Sequence, residues 1–124
     1  MTAANRVRFI QHGTTRVILL DFAGVMDSEE GLTLIARAQV FIAALKPDGT
    51  HRTLTDVTNT RYDRRIIEAL KGLTVHNRPF VKRAAVVSDS ALHRAAISMV
   101  ALFSRRQLEV FETRGAALEA LGTD

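Results

Sequence analysis

The stretch Leu54-Thr55-Asp56-Val57-Thr58-Asn59-Thr60-Arg61-Tyr62-Asp63 is a short apolar run that breaks into hydroxyls, amides and an arginine just before a helical pattern begins. That is the shape of a strand end opening onto a helix N-terminus. In an open α/β sheet, ligands collect outside the carboxyl ends of the strands, so a binding function is expected here first.

Working towards the N-terminus, Arg6 to Gln11 and Arg16 to Ala23 are two extended runs separated by His12-Gly13-Thr14-Thr15, which predicts a hairpin. Val17-Ile18-Leu19-Leu20 is apolar without alternation, so the second run should be buried on both faces. Asp27 with Glu30 three residues later is a capping-box-like start to a helix from about Ser28 to Leu45. On it Leu34, Ile35, Ala38, Phe41, Ile42 and Leu45 share one side, and Lys46-Pro47-Asp48-Gly49 ends it with a proline and a turn.

Working towards the C-terminus, the alternation continues: strand His51 to Val57, helix Asp63 to about Asn77, strand Arg83 to Ser88, helix Ala91 to Phe103, strand Gln107 to Glu112, and helix Arg114 to Leu121. Strands alternating with helices of this length read as βαβ units and a mostly parallel sheet. Ala84-Ala85-Val86-Val87 is small and continuously apolar, so helices can approach it closely from both faces. In the helix from Ala91 to Phe103 the expected core stripe is Leu92, Ala95, Ala96, Met99, Leu102 and Phe103. That orientation turns Ile97 and Ala101 outward with Val100 at the margin, and Val40 and Ala44 likewise point away from the core of the earlier helix. These outward strips make a homodimer an expectation. No repeat, linker or low-complexity tract interrupts the pattern. The expectation is therefore one α/β domain over residues 1–124, with about five strands, an N-terminal antiparallel hairpin feeding an otherwise parallel sheet, and four main helices.

Composition narrows the function classes. The chain has 124 residues, enough for a core without staples, and 47% of them are apolar with no Trp and one Tyr, which points to an aliphatic core. The absence of Cys removes disulfides, thiolate nucleophiles and zinc-thiolate sites. Met1-Thr2-Ala3-Ala4-Asn5-Arg6 has no apolar signal core, and no stretch approaches the roughly 18 uninterrupted apolar residues of a membrane span, so a cytoplasmic protein is expected. The net charge of +4 comes largely from arginine, with Arg61, Arg64 and Arg65 around one turn and Arg105-Arg106 in another. Acids are interleaved throughout and no helix-turn-helix, RNA-recognition or zinc signature is present, so a mixed-charge solvated surface is preferred to nucleic-acid binding.

Few constellations could carry chemistry. Asp56, Thr58, Asn59 and Arg61 sit at one strand end, and Ser88, Asp89 and Ser90 at another. If those strands are adjacent and parallel, both groups share a rim, where helix N-termini would favour an anion. The plainer reading is that Asp63, Asp89 and Ser90 cap helices while Thr58 and Asn59 satisfy a turn. His12, His51, His76 and His93 lie in separate elements without metal-ligand spacing, so no metal site is expected. Ser88-Asp89-Ser90 lacks the glycines of a nucleophile elbow, and neither a Gly-x-Gly-x-x-Gly nor a phosphate-loop lysine occurs. An enzyme is the weaker hypothesis and no cofactor is expected.

The order hairpin, helix, strand, helix, strand, helix, strand, helix, together with Thr55 to Asp63, His76-Asn77-Arg78-Pro79-Phe80-Val81-Lys82 and Val110-Phe111-Glu112-Thr113, resembles small bacterial proteins of the STAS superfamily, which have the SpoIIAA-like fold. The resemblance covers nearly the whole chain, and the branch most resembled has no assigned activity. In the anti-sigma-factor antagonists of that superfamily, a serine in an Asp-Ser-Ser-Gly-like stretch at the start of the second helix is phosphorylated. The corresponding stretch here is Arg61-Tyr62-Asp63-Arg64-Arg65, which has no serine, leaving Thr58 and Thr60 as weak phospho-acceptor candidates. Ala120-Leu121 also departs from the Trp-Leu with which similar chains often end.

Two functions remain from different classes. One is a regulatory or binding module whose rim of Asp56, Thr58, Asn59, Arg61, Ser88 and Asp89 recognises a small anion or a partner protein. The other, implied by lipid-carrying relatives of similar fold, is a carrier of a small apolar or lipid-like ligand, for which alanine-rich packed helices are expected to leave little room.

Overall fold

A computed structural model describes residues 3–104 and 108–123. After a single helical turn, α1 (Ala3–Arg6), the chain forms β1 (Val7–His12), β2 (Thr15–Asp21), α2 (Ser28–Ala43), β3 (His51–Asp56), α3 (Arg64–Asn77), β4 (Val81–Val87), α4 (Ala91–Ser104), β5 (Leu108–Phe111) and α5 (Arg114–Leu121). The α1 turn was not expected from the sequence. The expected positions of Gln107 and of the Arg105-Arg106 pair lie outside the described residues.

The five strands lie side by side in chain order. β1 and β2 are antiparallel and joined by Gly13-Thr14, where Gly13 at φ +60° takes the left-handed step of a two-residue hairpin. The β2–β3, β3–β4 and β4–β5 pairs are parallel, which the α2, α3 and α4 crossovers require. Helix starts follow the capping logic: Asp27 accepts from the Glu29 N–H, Asp63 from the Ile66 N–H and Thr113 from the Ala116 N–H.

Val17, Ile18, Leu19 and Leu20 are all buried, because their two sets of side chains enter different layers. Ile18 and Leu20 join Leu34 and Ile42 of α2, Ile66 and Leu73 of α3, and Ile97 of α4. Val17 and Leu19 join Leu54, Ala85 and Val87 against Ala117 and Leu121 of α5. Three helices thus cover one face and one short helix the other. Gly31 lets α2 and α3 come close, since a Cβ there would lie 2.8 Å from Ile66 Cδ1.

The orientation of α4 differs from the sequence expectation. Ile97 and Val100 face the core, whereas Met99 is 53% and Leu102 81% exposed, and Ala95 is exposed too. The helix is apolar around its whole circumference, so periodicity is a poor guide to its buried side. The side chains of Leu92 and Phe103 lie outside the described residues. Of the strip expected to face outward, Ile97 and the marginal Val100 are part of the core and Ala101 is half-buried, whereas Val40 and Ala44 do point outward as expected.

Leu19→Asp should abolish the cooperative melt followed by circular dichroism, because an unpaired buried carboxylate costs several kcal/mol against a total stability of about 5–15 kcal/mol. Leu102→Glu should change stability by no more than about 0.5 kcal/mol. A large loss in Leu102→Glu would mean that α4 presents the opposite side to the sheet.

Candidate functional site

The parallel register sets Asp21 beside Asp56 and Asp56 beside Val87, so the carboxyl ends of β2, β3 and β4 form one rim. The rim groups expected from the sequence, around Asp56 and around Ser88, do lie on adjacent parallel strands.

Two carboxylates dominate this rim. The side chains of Asp21 and Asp56 are only 10% and 6% exposed. Arg114, the first residue of α5, reaches both: its Nε donates to Asp56 Oδ2 at 2.5 Å and its Nη2 lies 2.9 Å from Asp21 Oδ1. Arg6 adds a second guanidinium, donating from Nη1 to the carbonyl oxygens of Asp21 and Ala23. Asp56 Oδ1 also accepts from the Thr58 N–H at 2.9 Å, and Asp21 Oδ1 from the Ala23 N–H at 3.0 Å. Burial works to raise the Asp56 pKa, but the hydrogen bonds from Thr58 and Arg114 outweigh it and hold the carboxyl below its ordinary value. For Arg114, burial is likewise outweighed by the two aspartates, and its pKa is raised. The two aspartates and two arginines balance in charge.

The other candidate residues take varied places. Thr58 is half-buried and its carbonyl accepts from Gly24, which makes it part of the loop framework. Asn59 is exposed at φ +54°, a left-handed conformation that asparagine tolerates better than most residues. Ser88 is fully buried, its N–H donating to the Phe111 carbonyl and its Oγ accepting from the Ser90 N–H, while Asp89 is exposed. Thr60 is buried and donates to the Phe22 carbonyl at 2.7 Å, so its hydroxyl is committed to the fold. Arg61 is exposed, and among the described residues its side chain has no ion-pair partner. Its neighbours are engaged: Arg65 pairs with Glu29 at 2.5 Å, and Asp63 accepts from Ser28 and Ile66, hydrogen bonds that hold its carboxyl below the ordinary value.

A second site was not legible in the sequence. Between α3, α4 and the sheet lies an apolar cleft with a volume of about 60 Å³, floored by Thr55 and Val86 and walled by Leu70, Leu73, Ile97 and Val100. The expectation that the helices leave little room holds in volume, yet the space is there. Tyr62 lines it, burial pushes its phenol pKa well up, and its ring stacks on His93 at 4.3 Å between centroids. The His93 Nδ1 is buried without a hydrogen-bond partner. Among the described residues no three His, Asp or Glu side chains gather as a metal site, and no helix is long and apolar enough to cross a membrane.

A five-stranded sheet opened by an antiparallel hairpin, with three crossover helices on one face and a closing helix on the other, is the SpoIIAA-like architecture. The solved structure of an uncharacterized protein of the DUF3478 family from Shewanella loihica PV-4, described as having that fold, is similar to this chain with a TM-score of 0.67, covering 93% of this chain and 91% of that one. Identity is 16%, so the likeness is one of fold. No protein-family model matches the chain, and neither does any curated protein.

Arg114→Ala should lower stability by about 2–3 kcal/mol in urea unfolding, towards the low end for breaking a buried pair because Arg114 is itself 39% exposed. The acid response should change as well. With its pKa depressed in the fold, Asp56 binds fewer protons folded than unfolded, so its stabilisation is present above about pH 4 and lost as pH falls through the depressed value. That loss should be shallower in Arg114→Ala. Superimposable stability-against-pH curves for parent and variant would show that the tie does not hold in solution.

Proposed function

We propose that this chain is a non-catalytic binding module that takes a small, mainly apolar ligand in the cleft between α3, α4 and the sheet. The observation that carries the reading is the cleft itself: a concave, largely apolar space with a few hydroxyls, bounded by α3, α4 and the sheet. The Tyr62 phenol adds a polar group of the kind that fixes orientation in small-molecule sites, and its ring is held by stacking on His93. A volume of 60 Å³ is well below the roughly 150 Å³ of a cavity that takes up benzene, so the space suits a short chain or the terminal carbons of a longer one. The rim offers less for chemistry, because Asp21 and Asp56 are held by Arg114 and by backbone amides.

Titrating hexan-1-ol into ¹⁵N-labelled protein should shift the amides of Thr55, Leu70, Ala96 and Val100 saturably, and Ala96→Leu, which fills the space, should abolish the effect while the fold is kept. Shifts that never saturate, or that persist unchanged in Ala96→Leu, would remove the reading.

A second reading is favoured by the exposed and unpaired Arg61 beside Thr58 and Asn59, with Asp56, Ser88 and Asp89 on the same rim. In this reading the rim takes a small anion or an acidic partner surface. A thermal-shift screen against inorganic phosphate, nucleotides and carboxylates should then stabilise the parent by about 2.7 kcal/mol at a hundred times the dissociation constant, and Arg61→Ala much less. Equal responses in the two proteins would exclude Arg61 as the anchor.

A further inference from the structure

On the face of β3 that meets the three-helix layer the side chains are Thr53, Thr55 and Val57, and the register partners of the two threonines are Ile18 and Leu20 in β2 and Ala84 and Val86 in β4. Two hydroxyls on the middle strand are thus set among aliphatic neighbours. Valine has nearly the same shape and carries no polar atom, so a threonine in such a place is costly unless its hydroxyl finds a hydrogen bond. Elsewhere the chain supplies one: Thr60 donates to the Phe22 carbonyl at 2.7 Å and Thr74 to the Leu70 carbonyl at 2.8 Å. Among the described residues the hydroxyls of Thr53, Thr55 and Tyr62 have no such partner, and all three residues line the α3–α4 cleft. Thr53 is only 4% exposed and Thr55 is half-buried although β3 is the third of five strands, so the open space that each still touches is that of the cleft. The two threonines stand about 7 Å apart along the strand. Tyr62 follows at the rim end, its ring stacked on His93, and burial raises its pKa, so the phenol stays an O–H donor.

We infer that Thr53, Thr55 and Tyr62 are the hydrogen-bonding floor of the ligand site, and that the ligand carries an acceptor oxygen, as in a ketone, ester, ether or alcohol, on the end that enters the cleft. This rests on the reading of the cleft as the binding site and names the chemistry of the group inserted there. A volume of about 60 Å³ admits the few heavy atoms of such a group, and the rest of a longer molecule stays outside. Each hydroxyl can donate to an acceptor oxygen and the threonines can also accept from an alcohol, so one oxygen satisfies groups that the fold leaves open. A pure hydrocarbon end would displace water from the same hydroxyls and give them nothing in return.

The test uses two probes of one shape, butan-2-one and 2-methylbut-1-ene, in which the carbonyl oxygen of the first is a methylene in the second. Each is titrated into ¹⁵N-labelled parent, Tyr62→Phe and the double variant Thr53→Val/Thr55→Val, following the amides around Thr55 and Val100. The valine variant should bind the ketone at least about fivefold more weakly, the loss of one hydrogen bond, and the alkene as tightly as the parent or more so. Its melting temperature should equal or exceed that of the parent, because hydroxyls without a partner in the fold contribute nothing to it. Thr53→Ser/Thr55→Ser, which keeps both hydroxyls, should retain the ketone affinity. Equal losses for the two probes, or ketone affinity unchanged in both the valine variant and Tyr62→Phe, would overturn the inference while leaving the cleft as the site. A valine variant that melts well below the parent would overturn it too, since the hydroxyls would then be bonded within the fold. Failure of both probes to bind the parent there would overturn the binding-site reading itself, and this inference with it.

Discussion

The two strands that flank the central β3 each carry a run of side chains buried on both faces. Val17 to Leu20 in β2 are buried throughout, as are Ala85 to Val87 in β4, and a sheet with such strands at its middle is stable only when both faces are covered. The chain meets that requirement unequally. α2, α3 and α4 together shield one face, and α2 meets α3 closely enough that a Cβ at Gly31 would lie 2.8 Å from the terminal methyl of Ile66. On the other face α5 alone, eight residues long, covers Val17, Leu19, Leu54 and Ala85 through Ala117 and Leu121. So short a helix gains little from its own backbone, and its position depends on packing and on its ends. At the N-terminal end Arg114 is tied to Asp21 and Asp56, and at the C-terminal end Arg83 donates to the carbonyls of Ala120 and Thr123.

This division of labour explains why the two candidate sites differ in kind. The rim carries charge, but its buried carboxylates are devoted to holding α5 across the edges of β2 and β3, so they combine polar character with a structural role. The α3–α4 cleft has no charged side chain among its described lining residues, and Ala84 of β4 and Ala96 of α4 are the small side chains that line it. Polarity marks the part of the molecule that is tied down, and apolar space marks the part with room for another molecule.

Much of this was legible in the sequence where short-range chemistry decides the outcome. The unalternating run at Val17, the Gly13 turn, the Asp27 and Asp63 caps and the Pro47-Asp48-Gly49 break each act within a few residues, and together they specify the strand and helix order and so the SpoIIAA-like fold. The side presented by α4 was not legible, because Ala95, Ile97, Met99, Val100 and Leu102 surround the helix with apolar groups and only the neighbouring elements choose among them. The Arg114–Asp56 pair spans 58 residues of chain, and nothing local to either residue announces it. An aspartate closing the buried apolar run Val17–Leu20, as Asp21 does, was the available hint that a buried cation must be nearby. The cleft is a difference between volumes contributed by four strands and two helices, a quantity that no window of sequence contains.

The placement of α5 also bears on how the molecule is made. In chain order it follows the last strand, and with α5 undocked Val17, Leu19, Leu54 and Val87 would face water on that side of the sheet. An undocked α5 would leave a broad aliphatic surface on the sheet, the kind of surface through which a chain associates with its own copies. Arg114 is the first helical residue to follow β5, and the two buried carboxylates waiting on the rim give it a destination ahead of Ala117 and Leu121. On this view the ion pairs act as a guide for docking as much as a clasp afterwards, drawing the final helix over the sheet while its apolar face is still open.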